Sequence, residues 1–171
     1  MTAVFWKFWN DVMSIKEIKR LIRLMSDDEF LGLPKIIDMQ NKAVPLLQKI
    51  LMDSQQAHFI HQRALICLGE IGADAGFDTA SSYLSSPDPV FRIAAARAIV
   101  KIHPDKAADL LIDNLDDEDI SACNVKIQCL AASGQTKAKP VLNKLKRNSE
   151  DPFIRKSVSL ALKHLSQEGQ T

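Results

Sequence analysis

Apolar residues recur along this chain at intervals of three and four, and almost nowhere in alternation. That spacing stacks side chains on one face of a helix, so the pattern predicts helices throughout and no sustained strand. The clearest stretch is "DPVFRIAAARAIVKI" (88–102). Asp88 is a natural N-cap, its carboxylate accepting a free backbone N–H, and Pro89 gives up an N–H that has no helical partner. The helix is expected to run through Ile102 and to stop at His103, because the residue before Pro104 avoids the α region.

The same pattern returns elsewhere. In "EDPFIRKSVSLALKHL" (150–165), Asp151-Pro152 repeats the cap and Arg155 matches Arg92, while Val158, Leu162 and Leu165 match Ala95, Ile99 and Ile102. In "HQRALICLGEIG" (61–72), His61 stands where Arg92 does, followed by Ala64, Leu68 and Ile71. A looser copy, "ACNVKIQCLAASG" (122–134), offers Cys123, Lys126, Leu130 and Ser133 at the four places. Leu68, Ile99, Leu130 and Leu162 are therefore equivalent, at spacings of 31, 31 and 32 residues. A shorter apolar helix precedes each, anchored by Leu51, Leu84, Leu115 and Leu145. Upstream, Leu21, Leu33 and Ile37 continue the period weakly. "SDDE" (26–29) reads as a capping box at the turn, and Gly32 and Pro34 are expected to disturb the helix that follows.

A period near 31 built from two antiparallel helices predicts an all-α solenoid, in which stacked pairs bury jointly what one pair cannot bury alone. The small residues Ala94, Ala95 and Ala96 fit places where helices approach closely. The expected layout is one elongated domain. It has an N-terminal amphipathic helix with a degenerate capping repeat (1–42), four repeats (43–75, 76–105, 106–136, 137–167) and a short flexible tail (168–171).

These residues resemble HEAT repeats, of the short bacterial type also found in phycobilisome lyase subunits. The resemblance covers roughly residues 43–167 and, more faintly, 14–42. It implies a protein-interaction scaffold or adaptor, with second helices lining the concave face. It also implies an Asp/Arg ladder between neighbouring repeats, carried here by Asp88, Arg92, Asp151 and Arg155. The third repeat departs from that pattern, with neither Pro nor Arg at its helix start.

Composition narrows the function classes. The chain is 46% apolar and 25% charged with a net charge of +1, so it exerts no overall pull on nucleic acid or membrane. Charge is uneven, however: residues 106–136 sum to −4 and residues 137–171 to +5. The basic unit suits an acidic partner. Its cations are scattered and lack an aromatic platform, which disfavours nucleic acid. Cys67, Cys123 and Cys129 are an odd number in apolar helical patterns, which points to buried thiols and a reducing, cytoplasmic setting. The opening residues do not form a signal peptide, and no apolar run is long enough to span a bilayer.

Candidate binding positions are those that vary between repeats while the core does not. On the expected concave face these are Gln62, Glu70, Arg97, Lys101, Asn124, Gln128, Lys156 and His164. A variable row is equally what a plain solvated face would show, so both readings stand. At the N-terminus, Phe5, Phe8 and Trp9 lie on an amphipathic stripe with Trp6 beside it. This helix either caps the first repeat or docks a partner, a second copy included. No cofactor or metal is implied: His58 and His61 are three apart without a third ligand. No catalytic triad or phosphate loop stands out. The alternative reading, a lyase-like or DNA-repair-like enzyme, would draw on Cys129, His164 and Glu70.

Overall fold

The computed structural model describes the backbone of residues 3–27 and 29–168, and the side chains of 14–27 and 31–167. Among the described residues ten α-helices follow one another: α1 (Ala3–Asp27), α2 (Glu29–Ile37), α3 (Val44–Met52), α4 (His58–Ile71), α5 (Phe77–Ser82), α6 (Pro89–Ile102), α7 (Pro104–Asp113), α8 (Ile120–Ala132), α9 (Lys139–Asn148) and α10 (Pro152–Glu168). Among the described residues there is no strand. Helices pair as α1/α2, α3/α4, α5/α6, α7/α8 and α9/α10. The second helices α2, α4, α6, α8 and α10 then pack side by side, each on the next. The result is an all-α solenoid.

Local chemistry sets the helix ends. Asp88 accepts from the Val90 N–H at 2.8 Å, and Asp119 accepts from Ala122 N–H at 2.8 Å, so α6 and α8 both start on a carboxylate cap. Helix α4 ends on Gly72, at φ +68, and Gly134 beyond α8 takes φ +69. This left-handed turn favours glycine. Helix α6 stops instead at His103, which alone joins it to Pro104 of α7.

The core is one continuous cluster running from Leu21 and Met25 to Leu165. The recurring positions sit inside it: Ala64, Ala95 and Val158 are fully buried, as are Ile99 and Leu130, with Leu68 nearly so and Leu162 half-buried. The shorter-helix anchors lie nearer the elbows than their spacing suggests. Leu51 and Leu145 lie in the last turns of α3 and α9, Leu84 sits in a 3₁₀ turn after α5, and Leu115 lies beyond α7. All three cysteines are buried and free.

The N-terminal unit differs from expectation in two ways. Ser26 does not cap the next helix; its hydroxyl donates to the Ile22 carbonyl at 2.8 Å, within the last turn of α1. Gly32 and Pro34 do not break the helix after it, since α2 spans both. Gly32 is used for close approach instead: a Cβ there would overlap the Leu24 carbonyl of α1. The aromatic residues Phe5, Trp6, Phe8 and Trp9, expected to cap or to dock, lie outside the residues whose side chains are described. No helix among the described residues is long and apolar enough to cross a membrane.

Candidate partner-binding face and repeat junctions

Second helices can be compared position by position, counting from the residue before each of them: Ala57, Asp88, Asp119 and Asp151. Position 4 holds His61, Arg92, Cys123 and Arg155. Three of these tie down the elbow of their own repeat. His61 Nε2 lies 3.0 Å from the carbonyls of Ile50 and Asp53, so that nitrogen carries the proton. Arg92 Nη1 donates to the carbonyls of Ser86 (2.8 Å) and Pro87 (3.0 Å), and Arg155 Nη1 to those of Ser149 (3.0 Å) and Glu150 (2.8 Å). Cys123 cannot do this. In its repeat the cation stands at position 7, where the other helices carry Ala64, Ala95 and Val158. Lys126 reaches back to the Asn114 carbonyl at 2.7 Å.

The residue two before each cap also recurs. Ser86, Asp117 and Ser149 accept the backbone N–H of Asp88 (3.2 Å), Asp119 (2.9 Å) and Asp151 (3.2 Å). Asp117 does more than turn the chain. Arg92 grips it with two hydrogen bonds, Nη2 at 2.7 Å and Nε at 2.9 Å, and Lys126 Nζ donates at 2.7 Å. All three side chains are nearly sealed from water, Asp117 at 2% exposure and Lys126 at 3%. Burial by itself would raise the Asp117 pKa. The hydrogen bonds from Arg92, Lys126 and the Asp119 N–H outweigh it and hold the carboxyl down at about 2. The Arg92 guanidinium is shifted upward, first by its hydrogen bonds to Asp117.

The ladder expected from Asp88, Arg92, Asp151 and Arg155 thus runs through other partners. Asp88 meets His58 of the preceding repeat at 2.5 Å, with the His58 ring stacked on Phe91 at 4.4 Å. That contact, before the Val90 N–H, lowers the Asp88 pKa. Arg92 reaches forward to Asp117. Asp151 caps α10, accepting from Phe153 and Ile154 N–H at 2.7 and 3.2 Å. Asp117 and Lys126 were not singled out by sequence reasoning. The signal was there: position 4 loses its cation to Cys123 just where a lysine enters a core position.

The variable row lies on one side of the second helices. Arg97, Gln128, Lys156 and His164 are exposed, while Gln62 and Asn124 are half-buried. Lys101 pairs with Glu70 of the preceding repeat, and Asn124 accepts from the Ser157 hydroxyl at 2.6 Å. Arg97 makes no hydrogen bond or ion pair among the described residues. Between α8 and α10, Gln128, Ala132, Leu160 and His164 line a groove of about 270 Å³, with Leu160 61% exposed.

The three side chains named for catalysis do not converge. Burial pushes the Cys129 thiol up to about 11, so it stays protonated. Glu70 is spent on Lys101, and His164 is exposed on another helix. His58 and His61 are likewise committed to separate partners. Among the described residues no three His, Cys, Asp or Glu side chains gather where they could hold a metal.

Comparison with known proteins agrees with this architecture. The family model for HEAT repeats matches residues 44–123. The crystal structure of an engineered protein, a structural-genomics target, superposes with a TM-score of 0.57 at 16% identity, over 93% of this chain and 83% of that one. At that identity the likeness speaks for the fold. No curated protein matches the chain.

Proposed function

We propose that this HEAT-repeat chain is a protein-interaction scaffold that receives its partner on the exposed, concave face of the second helices. Repeats of this family serve generally as protein-binding surfaces. One observation carries the finer reading: the exposed row changes from repeat to repeat, and Arg97 at its centre makes no hydrogen bond or ion pair among the described residues. A structural arginine in this protein looks different, as Arg92 and Arg155 do, with every carbonyl they reach named above. Gln62, Glu70, Lys101, Asn124, Gln128, Lys156 and His164 complete the face, and the repeats at 43–75, 76–105, 106–136 and 137–167 act as one array within residues 1–171. Asp88 and Arg92 tie neighbouring repeats of that array together, while Asp151 and Arg155 brace their own repeat.

Arg97→Glu tests the face cleanly, because it breaks no ion pair among the described residues. The variant should melt within about 2 °C of the parent, as a solvated substitution does. It should also lose the proteins that the parent captures from native lysate, identified by mass spectrometry. An unchanged set of captured proteins would remove this face as the binding surface.

A further inference from the structure

The elbows of successive repeats meet along one edge, and at the first two of these junctions a side chain crosses the gap. Tyr83 Oη donates to the Leu51 carbonyl at 2.7 Å and His58 meets Asp88 between the first and second repeats. Arg92 grips Asp117 between the second and third. Between the third and fourth the corresponding residues cannot cross. Ile120 stands where His58 does, and Cys123 stands where Arg92 does. Among the described residues, no hydrogen bond or ion pair bridges this elbow gap.

What remains is a groove of about 480 Å³, within the range of real ligand pockets. Leu115, Cys123, Leu145 and Ile154 form its floor, and Ile120, 52% exposed, stands at its lip. Asp113, Asp116 and Asp151 lie around the mouth with Lys144 as the one lining cation besides the buried group. The Arg92–Asp117–Lys126 group adds one surplus positive charge below, and the mouth stays net negative. Asp151 uses Oδ1 for both of its capping bonds, leaving Oδ2 without a donor among the described residues. In the equivalent Asp88, Oδ1 caps the helix and Oδ2 takes His58.

We propose that this groove binds a basic, apolar-anchored peptide segment of a partner protein, whose cation pairs with Asp151 as His58 pairs with Asp88. The apolar anchor covers Ile120, Cys123 and Leu145, and a flanking arginine or lysine meets Asp151 with Asp113 and Asp116 nearby. This site is separate from the second-helix face and does not depend on it.

Two blocked hexapeptides serve as probes, one alternating arginine with leucine and the other glutamate with leucine. Titrated into the ¹⁵N-labelled full chain, the arginine peptide should shift amides around 113–123 and 145–154. It should bind at least tenfold more tightly than the glutamate peptide. Asp151→Asn keeps a capping side chain and should weaken binding about tenfold. Ile120→His supplies the crossing residue of the first junction and should also close the groove to the peptide. Arg97→Glu should bind as the parent does, which separates this site from the concave face. Equal affinity for both peptides, or shifts confined to the exposed row of α6, α8 and α10, would overturn the proposal. So would full binding by both Asp151→Asn and Ile120→His. A concentration-dependent dimer in sedimentation, lost in Asp151→Asn, would replace the peptide with a second copy as the occupant and equally overturn it.

Discussion

Asp117 is the residue on which the most charge depends. A carboxylate at 2% exposure survives only because two cations and a backbone N–H meet it. Its pKa, about 2 against an ordinary 3.8, lies lower in the folded chain than in the unfolded one. The linked stabilisation is therefore complete above about pH 4 and is lost as pH falls toward 2, about 2 kcal/mol in all. Asp117→Asn should remove that acid-dependent increment. It should also cost about 3 kcal/mol at neutral pH, since Arg92 and Lys126 would remain buried and unpaired. Urea unfolding at a series of pH values measures both, and a variant with the parent's acid profile would assign the titration to another group.

Helices stack here through small residues, and one such close approach joins α4 to α6. A Cβ on Gly69 would sit 2.7 Å from the Ala98 Cα. Two effects oppose each other in Gly69→Ala. Helix propensity favours alanine by about 1 kcal/mol. Crowding against backbone costs about 1–3 kcal/mol, because neither helix can yield without moving its neighbours. Crowding should win, so the variant should unfold at lower urea concentration than the parent. Greater stability would mean that α4 and α6 separate at little cost. The same logic explains α2, where Gly32 admits α1 and so serves packing more than it harms helicity.

Across the whole molecule each pair touches mainly its neighbours, so stability should be graded along the stack. Helices α6 and α8 are packed on both sides, while α10 is packed on one. The side of α10 that a further repeat would cover carries Lys156, Ser159 and Lys163, polar where α8 has buried Ile127 and half-buried Ala131. Such a face favours water over a packed helix. Native-state hydrogen exchange should accordingly be slowest in α6 and α8 and fastest in the last turns of α10. Uniform protection along the chain would indicate a single cooperative unit instead.

The sequence by itself determined the helices, the period and the registration of the second helices. Those depend on groups within a few residues of one another: Asp88 with Val90, His103 with Pro104, apolar residues three and four apart. The capping box at Ser26 was misleading for the same reason, because a serine has two local choices and Ile22 won. The tertiary structure alone decided what spans repeats. Arg92 and Asp117 are 25 residues apart, and no local rule pairs them. Lys126 falls in the register of Ala64, Ala95 and Val158, but only the packing of α8 brings it to Asp117 and the Asn114 carbonyl. The groove between the third and fourth repeats follows from two residues that fail to reach, Ile120 and Cys123. A failure to reach becomes visible only once helix packing has fixed the distance to be crossed.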